Sequence, residues 1–253
     1  MVTMPRSARL AAWASAWLHG ECSLDEVVDR VTADDEPHDV VDLPGHESTT
    51  SLVTALTTLR ADGLSSFRVS LPVPGDPVAL GGPAALTADA IDAGETVLAV
   101  GPQPCALIPD VRAFGPPGDQ GHMVTWRCLP AAPPPAGPDL RDAEQALATT
   151  LLEAGSTLAR LDVAAWKPDV AVLLEEVRSD QVTEPLPRAF PNRAQVVAAR
   201  SIRLLAIAGF ALDDDGGAVT ASSAASRRAA LAPLERAARH ALVAACNSLS
   251  PVA

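Results

Sequence analysis

The sequence predicts an α+β protein: an N-terminal mixed α/β half with a small, mainly antiparallel sheet, a Pro-rich hinge and a C-terminal helical bundle. Three observations lead there. At 66–73 and around Cys128, short runs alternate with the period of two that half-buried strands require, and short apolar runs stand between them. Pro130-Ala-Ala-Pro-Pro-Pro-Ala-Gly-Pro138 then places five prolines in nine residues, too few amide protons for a helix or a sheet interior. Beyond it, apolar residues recur at helical spacing almost to the C-terminus. The implied domains are an acidic α/β domain at 1–129, a Pro-rich linker at 130–138 and a helical domain at 139–253.

The elements follow in order. Leu10, Trp13, Ala14, Trp17 and Leu18 stand at i, i+3, i+4, i+7 and i+8, one stripe of a helix over 7–19 that packs on the protein. Arg6 and Arg9 ahead of an apolar run, with Ala14-Ser15-Ala16, superficially suggest a secretion signal. The small-residue triplet falls inside the apolar stretch, however, and leaves too short a hydrophobic region. Ser23 with Glu26 three residues on forms a capping box for a helix over 23–32. A third helix spans 49–62 and stops at Gly63. Phe67, Val69 and Leu71 share one face of a strand over 66–73, which Pro72 should end or confine to a sheet edge. Pro74-Gly75-Asp76-Pro77 is a turn, Val78–Leu80 a short return strand and 84–93 a helix. Strands at 96–101, 105–108 and 122–129 complete this half. From residue 49 the order α-β-β-α-β-β-β is similar to that of the small sandwiches of roadblock-type and profilin-type domains, which implies a dimerisation or docking platform.

Past the linker, Leu140, Ala143, Leu147, Leu151 and Leu158 mark a helix over 139–161. Pro168 suits the first turn of a second helix carrying Val170 to Val177, and 193–212 forms a third. A fourth covers 220–248, with Thr220 as cap and Pro233 kinking or dividing it. Short connectors between four helices point to an antiparallel bundle.

Composition bounds function. The chain has 253 residues, 31 acidic against 19 basic side chains, a net charge of −12 and 48% apolar residues. That composition folds, lacks a membrane-spanning run, and repels nucleic acid and anionic lipid in its overall field. Tyr is absent and Lys167 is the one lysine, a skew that a high-GC bacterial genome explains, so the preference for Arg carries no recognition argument. Cys22, Cys105, Cys128 and Cys246 form no C-x-x-C pair, which argues against a zinc ribbon or a thioredoxin-type centre. Buried, reduced thiols in a cytoplasmic protein are the expectation.

Neither phosphate-cradling glycine loop is present, nor a G-x-S-x-G nucleophile elbow. His46-Glu47-Ser48-Thr49-Thr50 begins like H-E-x-x-H, but Thr50 stands where the second imidazole belongs. The segment 36–47 nevertheless gathers His38, Asp39, Asp42, His46 and Glu47, residue types that ligate zinc and other divalent ions. A metal-assisted hydrolase would use those five; a solvated acidic loop is the plainer reading. Asp213-Asp214-Asp215-Gly216-Gly217 lacks the first and twelfth ligands of a calcium loop and reads as a turn.

From Arg188 onward eight arginines, Arg188, Arg193, Arg200, Arg203, Arg227, Arg228, Arg236 and Arg239, stand against four acidic groups, with His240 beside Arg239. Arg200, Arg203, Arg227, Arg228, Arg236 and Arg239 are candidate partner-binding residues. An anionic protein surface suits them better than a DNA groove, although a helix-turn-helix regulator is the second alternative. The residues name no cofactor. The function expected is therefore a non-catalytic protein-interaction or regulatory module that binds another protein or itself.

Overall fold

Residues 4–116, 119–160, 186–213 and 221–250 are described by a computed structural model. The apolar stripe at the N-terminus becomes helix α1 (Arg6–Leu18), buried along almost its whole length. It packs on helix α2 (Leu24–Thr32) and on the sheet. Ser23 caps α2 through the amide of Glu26, as the capping box requires. The Arg30 guanidinium lies 5.0 Å from the Trp13 ring centroid, and Arg60 of helix α3 (Leu52–Ala61) lies 4.7 Å from Trp17. These cation–π contacts tie α1 to the two neighbouring helices. The Gly63 amide bonds the Arg60 carbonyl, and Gly63 takes φ +86°, ending α3 where the sequence predicts.

The strands are β1 (Asp39–Val41), β2 (Thr50–Ser51), β3 (Ser66–Ser70), β4 (Thr96–Val100), β5 (Cys105–Phe114) and β6 (Gly121–Pro130). Helix α4 (Ala84–Ala93) lies between β3 and β4 and ends on left-handed Gly94. The sheet order is β2-β1-β6-β5-β4-β3; β1 runs parallel to β6 and every other pairing is antiparallel. Among the described residues seven helices accompany this one six-stranded mixed sheet, so the fold is α+β.

Three expectations change. Residues 78–80 form a turn rather than a strand: Val73 and Asp76 close a tight Pro74-Gly75 turn, with Gly75 at φ +79°. The strand order that resembled roadblock-type and profilin-type domains therefore loses a member. The segment 36–47, read as a loop, contains β1, which inserts between β2 and β6. Helix α3 also starts at Leu52, because Thr50 and Ser51 pair with β1 first.

The edge strand β3 is covered. Ser15 Oγ donates to the Phe67 carbonyl at 3.0 Å. The Asn247 side chain accepts the Val69 N–H at 2.8 Å and donates to the Val69 carbonyl at 2.9 Å, imitating a neighbouring strand. Residues 131–139 carry no regular structure and run past Gly81, where an added Cβ would stand 2.9 Å from the Pro133 carbonyl oxygen.

The described residues form two compact units. One holds residues 4–137 with 186–191 and 246–250; the other holds 138–160, 192–213 and 221–245. The second contains helices α5 (Leu140–Arg160), α6 (Asn192–Asp213) and most of α7 (Ala221–Cys246). Ala194, Val197, Ala198 and Ser201 are buried on α6, and Leu231, Leu234, Ala238 and Ala241 on α7, each set at helical spacing. Helix α7 runs through Pro233. Ala229, whose carbonyl loses its intrahelical donor there, is exposed to water. The helix expected after Pro168, the Asp214–Gly217 part of the acidic turn and the Thr220 cap lie outside the described residues.

Candidate functional site

Strand β1 sorts its side chains by alternation. Val40 pairs with Trp126 and Asp39 with Thr125 in register with β6, so His38, Val40, Val124 and Trp126 share one face. Asp39, Val41, Thr125 and Arg127 share the other.

The first face carries a buried polar node. Trp126 is fully buried, and its indole N–H donates to His38 Nδ1 at 3.2 Å. An indole nitrogen only donates, so Nδ1 of His38 must accept and the ring proton sits on Nε2. Nε2 donates to Asp35 Oδ2 at 3.3 Å. Arg6 grips the same carboxylate with two bonds, at 2.7 and 2.6 Å. Arg9 and His122 stand 3.8 and 3.7 Å from it. Burial pushes the His38 imidazole below its ordinary value, against the pull of Asp35. Burial alone would raise the Asp35 carboxyl, but the bonds and charge of Arg6, helped by His38, outweigh it and hold Asp35 low. Nearby, Glu95 accepts the Ser7 amide at 2.7 Å and so caps α1, whose Pro5 offers no side-chain cap. Burial raises its carboxyl above the usual range.

An Asp–His pair is the beginning of a general-base arrangement. Here the other imidazole nitrogen is spent on Trp126 and the His38 side chain is wholly buried. The node anchors the segment that leads into β1 rather than presenting a base to solvent.

Among the described residues, the second face is open. Helix α4 covers only part of it, packing Leu86 and Ala90 with Leu98, Ala106 and Ile108. Beyond α4 the sheet face is an open groove of about 900 Å³. Three rows make its floor, read across β1, β6 and β5: Val41 and Arg127, then Asp39, Thr125 and Asp110, then Met123 and Arg112. Phe114 closes one end, and Glu36 and Pro37 form the rim. Asp110 and Arg112 pair at 2.9 Å, and Arg127 meets Asp89 of α4 at 3.1 Å. Phe114 is 43% and Met123 50% exposed.

The five residues proposed as metal ligands are dispersed. His38 is in the buried node and Asp39 on the opposite face of the sheet. His46 bonds Thr58 on α3 at 3.2 Å, and Asp42 and Glu47 are exposed. No group of three or more His, Cys, Asp or Glu side chains among the described residues is arranged to hold a metal ion. Of the candidate arginines, Arg200, Arg228 and Arg236 are exposed, Arg203 is half-buried and Arg239 is buried beside Glu235 at 3.7 Å. The Arg227 side chain lies outside the described residues. Sequence reasoning gave Asp35 and Arg6 no part in a site and read Trp126 only as a core or interface anchor. The only local signals were Asp35 three residues before His38 and Arg6 three before Arg9. Cys105, Cys128 and Cys246 are free, buried thiols, and burial with neighbouring Glu26 and Glu21 pushes Cys22 up to about 11.

Residues 7–140 match the family described as "Rv1486c-like protein, N-terminal domain", and residues 141–243 match "Rv1486c-like protein, C-terminal domain". Relatives include "Uncharacterized protein MAV321" of Mycobacterium avium, 30% identical over 234 residues, covering 76% of each chain. "Uncharacterized protein Rv1486c" of Mycobacterium tuberculosis (strain ATCC 25618 / H37Rv) is 30% identical over 233 residues, covering 76% of this chain and 80% of that one. No solved structure matches. No helix among the described residues is long and apolar enough to cross a membrane.

Proposed function

The chain belongs to the Rv1486c-like family, and on that footing we propose that it is a non-catalytic protein-interaction or regulatory module of the bacterial cytoplasm, able to self-associate. The observation that carries this reading is the open sheet face beyond α4, where Phe114 and Met123 stand in water beside charged residues of both signs. Large apolar side chains grouped on an uncovered face mark a docking surface more often than a catalytic one. The buried Asp35–His38–Trp126 node supports the same reading, since its imidazole has no free nitrogen to offer a substrate.

The finer organisation belongs to this proposal. An acidic domain at 1–129 is joined by a hinge at 130–138 to a helical bundle at 139–253, whose exposed Arg200, Arg228 and Arg236 offer a second, cationic contact. The test is affinity capture of the tagged full-length chain from a bacterial cytoplasm, with light scattering of the purified protein. The double variant Phe114→Ser, Met123→Ser serves as control. A reproducible partner, or a dimer, that is lost in the control is expected. A partnerless monomer for the parent chain overturns the reading.

A further inference from the structure

The open sheet face is self-complementary, and we propose that its occupant is a second copy of this chain, docked face to face about a two-fold axis. This inference rests on the docking reading above and names its partner. Charge along the groove alternates in rows: Arg127, then Asp39 with Asp110, then Arg112. Residues two apart on a strand are roughly 6.6 Å apart, so neighbouring rows differ in sign at the spacing of one pleat. A two-fold axis lying in the interface between the Asp110 and Arg112 rows, parallel to those rows, lays each acidic row over the basic row of the other copy. Asp110 then meets Arg112 of the second copy while Arg112 meets its Asp110, the reciprocal pattern that a two-fold interface requires.

Four features favour this occupant over a highly charged one. The groove sums to nearly neutral on a chain of net charge −12, so it is a place where two such chains approach without strong local repulsion. A polyanion would meet Asp39, Asp110 and Glu36, and a polycation would meet Arg112 and Arg127. The side chains that would reorganise are free to do so: Arg112 is 73% exposed and its partner Asp110 42%. Phe114 and Met123 stand on the same face and supply the apolar contact at the end of the groove. Strand β4 pairs with β5 only as far as Leu107, so from Ile108 to Phe114 β5 is an edge of the sheet and the groove beside it is not walled by β4.

The experiment is sedimentation velocity of full-length protein over a wide concentration range, with Asp110→Arg and Arg112→Asp made separately. Each single variant puts like charges opposite one another in the two-fold complex, and each should weaken dimerisation at least tenfold. Mixing the two variants brings together one chain that is basic at both positions and one that is acidic at both. Every contact between them is then oppositely charged, and a 1:1 heterodimer should be restored. Phe114→Ser should weaken the parent dimer as well. All these side chains are well exposed, so unchanged thermal melting verifies folding. A parent chain that stays monomeric overturns the inference; the docking reading then stands or falls on the capture experiment alone. A dimer insensitive to all three substitutions also overturns it, while leaving self-association through another surface. Single variants that dissociate without rescue on mixing refute the reciprocal two-fold arrangement.

Discussion

Replacing Asp35 by Asn keeps the shape of the side chain and removes its charge. The carboxylate is 6% exposed and receives two bonds from Arg6 and one from His38, with Arg9 and His122 close by. Breaking a buried ion pair by removing one partner costs about 3–5 kcal/mol, because the remaining charge is left unpaired. Arg6 is 23% exposed, so water recovers part of its solvation, and an Asn oxygen can still accept one bond. The expected loss is therefore about 3 kcal/mol, or a melting temperature lower by roughly 6–12 °C in a unit of this size. Urea unfolding followed by tryptophan fluorescence suits the test, since Trp13, Trp17 and Trp126 all lie in the N-terminal unit. Asp34→Asn, at an exposed neighbouring position, is the control and should stay within about 0.5 kcal/mol of the parent. A double-mutant cycle with Arg6→Gln should give a coupling energy of about 1.5 kcal/mol or more. A loss below about 1 kcal/mol for Asp35→Asn, or no coupling to Arg6, would refute the view that this carboxylate organises the node.

Acidification should destabilise the node through His38. Its folded pKa lies below the ordinary 6.5, so between those two values the unfolded chain binds the extra proton, and stability falls as pH drops through 6.5. His38→Asn, whose side-chain oxygen stands where Nδ1 accepts from Trp126 and which does not titrate, should lose that part of the slope in pH-dependent unfolding; an unchanged slope contradicts the assignment. Asp35, held below 3.8, adds a loss at still lower pH. Glu95 works oppositely: its raised pKa contributes stability fully below 4.5 that fades as pH climbs through the folded value. Asn247→Ala strips the partners from both backbone groups of buried Val69 and should cost about 2–4 kcal/mol in urea unfolding. Gly81→Ala should cost about 1–3 kcal/mol, because its Cβ meets the Pro133 carbonyl oxygen; a neutral result would show that the proline segment moves aside easily.

What was legible in the sequence is whatever short-range physics decides. Helix α1 was written in its stripe, the start of α2 in Ser23 and Glu26, and the end of α3 in Gly63. Strands β3 and β6 were written in their alternation and β4 in its short apolar run, since each of these signals acts within a few residues of chain. Tertiary structure decided the rest. Strand β1 is three residues long in an acidic segment with no strand-like run, and it forms because β2 and β6 flank it and supply its ladder. Once it forms, its pleat sends His38 inward and Asp39 outward, which separates residues that looked like common ligands when read along the chain. The Asp35 node joins Arg6, His38, His122 and Trp126 across distances that no local spacing encodes. The open face likewise exists because α4 packs on Leu98, Ala106 and Ile108 and, among the described residues, leaves the rows of Asp110 and Arg112 uncovered. Composition supplied the exposed residues, but their gathering on one surface is a property of the assembled sheet.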